Sequence, residues 1–244
     1  MAHVTELALL AAWESAVGRP PVDRAVTLAA TASGLPIEEV ADLPLGDCDL
    51  LLLQLREQCF GPRLDGLTEC PRCRAELDVS IELDELQTSI RNVSSRLSTA
   101  TSDPGPCRTV EVAGTEVQLR PLTSRDIHAG GGDRDRLLAR CVTGASTGGA
   151  SAVPGPDVLA AVEASLDALD PQAAVALDLD CPECRAAWQA PVDITEFVWT
   201  EVDRFARRLL YDVHTLARAY GWTEPDVLAV SPTRRRFYLE TCAS

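Results

Sequence analysis

Two short cysteine pairs are the residues of this chain whose types and spacing are best suited to chemistry. They are Cys70-Pro71-Arg72-Cys73 and Cys181-Pro182-Glu183-Cys184. A Cys-x-x-Cys turn lets both sulfurs face one ion, and two such turns supply the four thiolates of a structural zinc site. We therefore expect the two pairs to share one zinc ion. The expected ligands are Cys70, Cys73, Cys181 and Cys184.

Alternating apolar and polar residues lie on both sides of each cysteine pair. These runs span residues 64–68 and 76–83 around the first pair, and residues 174–179 and 187–194 around the second. Alternation with a period of two is typical of β-strands, so each pair is predicted to form the tip of a β-hairpin. Together the two hairpins are predicted to make a zinc-ribbon-like element.

Other uses of the cysteine pairs have less support. The turns could be degenerate knuckles without metal, and no feature favours an iron–sulfur cluster. A redox-active pair opens a helix after a strand, whereas here a strand follows. Four thiolates leave no open position for water or substrate, so the zinc is expected to be structural. The other cysteines are expected to be small buried apolar residues, namely Cys48, Cys59, Cys107, Cys141 and Cys242.

The composition indicates an acidic globular protein. The chain has 244 residues, an apolar fraction of 46% and a formal net charge of −15. That fraction is sufficient for a core, while the negative charge argues against a surface for phosphate backbones or anionic lipid. The N-terminus lacks a basic leader, and no apolar run reaches the roughly 18 to 20 residues of a transmembrane helix. With nine cysteines and no secretory signal, we expect a cytoplasmic protein without membrane contact.

No catalytic constellation can be assembled from the sequence. The three histidines, His3, His128 and His214, have no nucleophile and carboxylate in a recognisable arrangement. The glycine run at residues 130–132 lacks the lysine of a phosphate loop, because the chain contains no lysine. We therefore expect a protein that is not an enzyme and has no small-molecule substrate.

Helical periodicity dominates the remaining sequence. Apolar residues recur every three or four positions in residues 48–60, which Asp47 is predicted to cap, and most extensively in residues 195–220. Two short helices are predicted after the long one, at residues 223–230 and 231–239. The predicted fold class is therefore α+β and predominantly α-helical, with a long C-terminal helix followed by two short helices.

Two stretches rich in small residues and proline divide the chain. Residues 94–107 are predicted to be a linker and residues 144–156 a flexible stretch. The expected organisation is an N-terminal unit, residues 1–93, a variable middle region, residues 94–170, and a C-terminal unit, residues 171–244. Because each outer unit supplies one cysteine hairpin, the two are expected to form one domain.

The two C-terminal helices also have features of a DNA-binding helix-turn-helix, because Arg234, Arg235 and Arg236 lie in the last one. Their flanks are acidic, however, and arginine near a helix end also complements the helix dipole. Contact with nucleic acid is therefore not expected.

Two parts of the chain resemble known tail proteins. Residues 47–57, with residues 60–64 and the first cysteine pair, resemble the baseplate proteins of T-even-like contractile phages and related contractile injection systems. Residues 216–224, 227–228 and 231–239 look like the C-terminal signature of small tail and baseplate-hub assembly proteins. The resemblance implies a non-enzymatic baseplate component or assembly chaperone whose partners are baseplate or tail subunits.

Proteins of this kind act by presenting shaped apolar faces to partner subunits. Because aromatic residues and arginine dominate binding hot spots, the interface is predicted at Tyr220, Trp222, Arg235 and Tyr238. The alternative function is a cytosolic zinc-ribbon adaptor or regulator, for which contact with nucleic acid stays an option.

Overall fold

The computed structural model describes residues 4–83, 107–112, 115–145, 155–173 and 175–242. Within these residues helices predominate and the strands form small antiparallel sheets, which confirms the predicted α+β, mainly helical class. The helices are α1 (Glu6–Ala16), α2 (Pro21–Ser33), α3 (Ile37–Ala41), α4 (Leu45–Phe60), α5 (Ser124–Gly130), α6 (Arg134–Arg140), α7 (Pro156–Leu169), α8 (Ile194–Tyr220), α9 (Glu224–Ala229) and α10 (Pro232–Cys242). The strands are β1 (Arg63–Glu69), β2 (Glu76–Glu82), β3 (Arg108–Val112), β4 (Thr115–Leu119), β5 (Val142–Ala145), β6 (Ala176–Asp180) and β7 (Ala187–Pro191).

Helix α4 is buried on most of its circumference. Its leucines at positions 50–53 and 55 are each at most 4% exposed, because α2 and α8 both pack against it. The prediction that Asp47 caps this helix is wrong, since α4 begins at Leu45 directly after Pro44. Asp47 lies in the first turn, where a carboxylate still interacts favourably with the helix dipole.

The largest apolar cluster joins residues from both ends of the chain. We call it the main core; it contains buried side chains of α1, α2 and α4, Leu64 and Leu83 at the base of the first hairpin, and the first part of α8. Helix α8 can take part because its apolar residues form one stripe. The helix ends at Gly221, whose φ of 70° is the left-handed conformation that glycine adopts without steric cost.

Two buried guanidinium groups tie the C-terminal helices to the N-terminal ones. Arg56 of α4 donates to both carboxylate oxygens of Glu201 in α8, at 2.9 and 3.2 Å. Arg235 of α10 donates to both oxygens of Glu6 in α1, at 3.0 and 2.9 Å. The Arg56 contact is bidentate through two nitrogens, whereas Arg235 donates to both oxygens from Nη2 alone. Each pair satisfies a buried charge and thereby fixes the position of one C-terminal helix.

The middle region has a separate apolar cluster, the middle core. It consists of Val117, Leu119, Leu138, Cys141, Leu159, Val162 and Leu169. Strand β4 lies between β3 and β5 in the sheet beside it. The expectation of a flexible stretch from residue 144 onward is wrong at its start, because Gly144 and Ala145 pair with β4 as part of β5.

Asp126 of α5 connects the helices of the middle region to its sheet. Arg120, directly after β4, donates to this carboxylate at 2.6 and 2.9 Å, and Arg140 of α6 donates at 2.6 Å. The backbone N–H and hydroxyl of Thr123 also donate to it, which completes a capping box at the start of α5. Burial alone would raise the pKa of Asp126, but these hydrogen bonds outweigh it and hold the pKa well below its usual range.

Nearly all of the linker predicted at residues 94–107 lies outside the described residues. At the C-terminus, Thr223 and Asp226 form a capping box that begins α9. None of the helices in the described ranges is both long enough and apolar enough to cross a membrane.

Candidate metal centre

Each cysteine pair lies in a turn between the two strands of a hairpin, β1–β2 or β6–β7. In the first turn the Cys70 N–H donates to the Ala75 carbonyl at 2.9 Å, and the Arg74 N–H donates to the Cys70 carbonyl at 2.9 Å. The second turn repeats both bonds at the equivalent positions, with lengths of 2.9 and 2.8 Å. The two turns therefore have the same backbone arrangement.

A left-handed arginine follows both pairs. Arg74 has a φ of 59° and Arg185 a φ of 57°, and among the described residues these are the non-glycine positions with positive φ. This conformation costs a residue with a Cβ atom roughly 1–2 kcal/mol. It reverses the chain so that the second strand returns beside the first. The same strain at the same place indicates one geometric requirement at both tips.

The hairpin tips meet and bring the four sulfurs together. The Sγ atoms of Cys70 and Cys184 are 3.6 Å apart, as are those of Cys73 and Cys181. All four sulfurs lie within 4.8 Å of one another. Zinc–sulfur bonds of about 2.3 Å at tetrahedral angles would place the sulfurs about 3.8 Å apart. The first cysteine of each pair contacts the second of the other, so the cluster has approximate two-fold symmetry.

The thiols of this cluster differ strongly in acidity. The backbone N–H groups of Cys73 and Arg72 stabilise the Cys70 thiolate and lower its pKa to about 6. For Cys73, the Ala75 N–H lowers the pKa, but desolvation and the thiols of the second pair outweigh it and raise the pKa to about 12. One thiolate therefore forms easily, while further ionisation in the crowded cluster requires a compensating positive charge. A divalent cation supplies such a charge.

The donor set can bind a metal ion. Thiolates favour soft and borderline metals over magnesium or calcium. Four of them fill a tetrahedral shell, so the arrangement can crosslink the hairpins but leaves no position for substrate. Cys70 and Cys181 are buried, whereas Cys73 is exposed and Cys184 half-buried, so the centre lies at the surface end of the hairpins.

The cysteines outside the cluster lie in several different environments. Cys48 and Cys141 are buried, as predicted, and burial raises the pKa of both thiols, to about 12 and about 11. Cys59 and Cys242 are half-buried. The prediction that Cys107 is a buried apolar residue is wrong, because its side chain is exposed directly before β3.

The four predicted interface residues separate into two environments. Tyr220, Trp222 and Tyr238 form an aromatic cluster, with ring centroids 5.0 Å apart for the stacked pair Tyr220–Trp222 and 5.1 Å apart for Trp222–Tyr238. Tyr220 is 41% exposed. Arg235 is only 4% exposed and binds Glu6 within the chain, so its guanidinium is used for internal packing.

Sequence patterns did not indicate an apolar cleft between the two hairpins. Its lining includes Val79 and Ile81 of β2 with Leu177 and Leu179 of β6. The alternation of these strands predicts one apolar face for each hairpin. Whether the two faces close on each other or leave a space depends on the angle between the hairpins, which no local pattern encodes.

The fold and the cysteine cluster together define a mainly helical α+β protein with a candidate structural metal centre. The family described as T4 bacteriophage base plate protein matches residues 32–199. Because this match covers more than half of the chain, the protein belongs to the T4 bacteriophage base plate protein family. No curated protein and no solved structure matches the chain.

The extent of the family match confirms the resemblance of the N-terminal half. Residues 32–199 include α4, both cysteine pairs and the middle region. The C-terminal signature at residues 216–239 lies outside the match. The family supports a structural or assembly role in a phage baseplate, which favours a non-enzymatic protein.

Proposed function

We propose that this protein is a non-enzymatic structural component or assembly factor of the baseplate of a contractile, phage-tail-like particle, and that it acts by protein–protein contacts. The observation that carries the proposal is the family match over residues 32–199. It favours a baseplate role over the cytosolic zinc-ribbon adaptor, for which the only support is the cysteine cluster.

A structural zinc ion bound by the four cysteines is part of the proposal. The crosswise sulfur contacts of 3.6 Å and the closed donor set support it. The contacting cysteines are 114 and 108 positions apart in the chain. An ion shared between them would hold the hairpins together as a zinc-ribbon-like pair and restrict the unfolded chain over long loops.

The proposed zinc ion would also join the N-terminal unit to the C-terminal unit. We propose that residues 1–93 and 171–244 form one domain, with residues 94–170 as a separate middle region. The main core supports this division, because it combines side chains from residues 4–83 with the first part of α8. The middle core contains only residues from 117 to 169.

We place the partner contact on the aromatic surface, defined as Tyr220, Trp222, Phe237 and Tyr238. The rings contact one another, and Phe237 is 64% exposed. Exposed aromatic clusters provide large contact areas at low conformational cost. Arg235, the fourth predicted interface residue, is not part of this surface, because it is buried and pairs with Glu6, which holds α10 in position.

The partner claim is tested by binding of the full chain to the baseplate subunits encoded with it. At least one subunit should be retained, and Tyr220→Asp should weaken its binding about tenfold or more. Tyr211→Asp is the matched control, because Tyr211 lies on the same helix and is 69% exposed. Failure to retain any baseplate subunit would refute the proposed function.

Elemental analysis of the purified protein tests the metal. We expect about one zinc per chain in the wild type and in Cys107→Ser, whose thiol is exposed outside the cluster. The double variant Cys73→Ser, Cys184→Ser should lose the ion. Full zinc content in the double variant would show that the four cysteines do not share a site.

A further inference from the structure

The space between the hairpins, which we call the hairpin cleft, is large enough for side chains of another molecule. Its volume is about 210 Å3, and it is lined by β1, by apolar side chains of β2, β6 and β7, and by the start of α8. An apolar cavity of about 150 Å3 is sufficient for benzene. Val79, Ile81, Leu177 and Leu179 are only half-buried there, so the described part of the chain covers them only in part.

Strand β1 borders the cleft with an open edge. The Cys70 N–H donates to the Ala75 carbonyl, so these two residues are a hydrogen-bonded pair at the end of the β1–β2 ladder. In an antiparallel ladder hydrogen-bonded pairs alternate with pairs that are not bonded, so the even-numbered residues of β1 bond to β2. The backbone N–H and C=O groups of Asp65 and Leu67 therefore point away from β2. Within the described residues they have no backbone partner. Such an edge is a template for pairing with another strand.

Two side-chain features keep this edge accessible. Leu67 is 75% exposed although it lines the cleft. Gly66 next to it has no side chain, and a Cβ atom built at this position would meet no atom within 4 Å. The edge also lacks proline, which opposes strand pairing, and two of its three charged residues, Arg63 and Asp65, pair with each other. Among the described residues nothing would obstruct an incoming strand at Gly66, and such a strand could cover the exposed leucine.

The charge around the cleft specifies the kind of strand. The four hairpin strands carry one basic residue, Arg63, and the carboxylates Asp65, Glu69, Glu76, Asp78, Glu82, Asp178 and Asp180. Asp65 and Asp193 line the cleft, and no basic residue does so among the residues described. Arg63 and Ser80 donate to Asp65, and Asp193 caps α8. The attraction for a cation therefore comes from the excess of carboxylates on the exposed faces of the hairpins. The arginines of the turns lie at the opposite, metal-binding end. A segment with lysine or arginine at its flanks complements this charge.

We propose that an extended segment of a baseplate partner, apolar at alternate positions and basic at its flanks, pairs with the open edge of β1 and fills the hairpin cleft. Main-chain hydrogen bonds to Asp65 and Leu67 give such a strand its register, and its alternate side chains enter the cleft. The inference rests on the proposed function, because it takes its partner from the baseplate. The cysteine cluster contributes by fixing the two hairpins that form the cleft walls.

Binding of the cognate baseplate subunits to the full chain tests the inference. Leu67→Lys replaces the exposed leucine of the open edge with a charge and should weaken binding of one subunit about tenfold or more, because a lysine on an edge strand opposes pairing and the apolar contact is lost. Tyr211→Lys, equally exposed but on α8, should bind as the wild type does. Both variants should unfold at the wild-type temperature, since both positions are exposed.

A photocrosslinker at position 67 identifies the occupant. In the assembled complex, p-benzoylphenylalanine at this position should crosslink to a subunit segment with alternating apolar residues and basic flanks. A crosslink to a second copy of this chain or to residues 84–106 would overturn the inference. So would unchanged subunit binding by Leu67→Lys, although the proposed function would then stand. If the wild type retains no subunit, both fail together.

Discussion

The main core and the middle core each lie beside one strongly perturbed carboxyl group, and the two pKa shifts have opposite signs. Next to the main core, burial and the nearby Asp170 and Asp193 raise the pKa of Asp49 to about 7. In the middle region burial also acts on Asp126, but hydrogen bonds from two guanidinium groups outweigh it and lower the pKa. Burial raises the pKa of both carboxyl groups; neighbouring carboxylates add to this at Asp49, whereas arginines reverse it at Asp126.

The comparison indicates that the two regions are stabilised by different means. Ionised Asp126 is a structural partner for two arginines, so the middle region gains from its charge. Ionised Asp49 has acidic neighbours, so its charge costs stability near the main core. Beside the main core lies the cysteine cluster, and the zinc ion proposed there would close a long loop of the chain. We therefore expect the main core to depend on metal and the middle core to depend on an ion pair.

The largest expected effect is the loss of metal. Chelation, or the double variant Cys73→Ser, Cys184→Ser, should lower the unfolding temperature by about 10 °C or more, since structural zinc sites contribute directly to folding free energy. Hydrogen exchange followed by mass spectrometry should show faster exchange in both cysteine hairpins. Exchange in the β3–β5 sheet should change much less, because that sheet packs on the middle core.

Cys107→Ser is the control for this experiment, because its thiol is exposed and outside the cluster. It should leave both the unfolding temperature and the exchange pattern unchanged. If metal loss accelerates exchange equally in all three sheets, the two cores unfold as one unit and the contrast between them does not hold.

Removal of the charge of Asp126 should destabilise the middle core rather than the main core. Asp126→Asn leaves Arg120 and Arg140 without their carboxylate and should cost about 3 kcal/mol of unfolding free energy. Because the folded-state pKa is depressed, this stabilisation is present above about pH 4 and is lost as the pH falls below it. Denaturant unfolding at pH 7 and pH 3 measures both effects.

A matched variant separates the buried network from ordinary surface charge. Asp135→Asn removes a carboxylate that is 66% exposed and paired with Arg134, and it should change stability by about 0.5 kcal/mol or less. An Asp126→Asn effect no larger than this would show that the buried network does not stabilise the middle core.

Sequence patterns predicted the elements whose causes are local. The alternation around each Cys-x-x-Cys pair predicted strands, and the apolar stripe of residues 195–220 predicted α8 within one residue of its observed start. Spacing also indicated which cysteines belong together, because two turns are needed to complete one tetrahedral shell. In each case the pattern and the element that it predicts lie within a few residues of each other in the sequence.

Contacts between distant elements could not be predicted in this way. Arg56 and Glu201 are 145 positions apart, and neither residue stands out in a chain whose basic residues are all arginine. Strand β5 has a composition typical of loops and becomes a strand only because β4 offers it a free edge. Cys107 is exposed for a similar reason, since burial depends on tertiary packing rather than residue type.

The smallest expected effect is that of Asp49→Asn, which should stabilise the folded protein, whereas Asp126→Asn should destabilise it. With a folded-state pKa raised to about 7, this group favours the folded state fully below about pH 4, and that contribution is lost as the pH rises to about 7. Asp49→Asn should therefore be more stable than the wild type by about 1–2 kcal/mol at pH 8, with the difference disappearing near pH 4. Chemical denaturation across this pH range measures it. A variant less stable than the wild type at pH 8 would mean that the ionised carboxylate, through its hydrogen bond to Thr195, supports the main core as Asp126 supports the middle one.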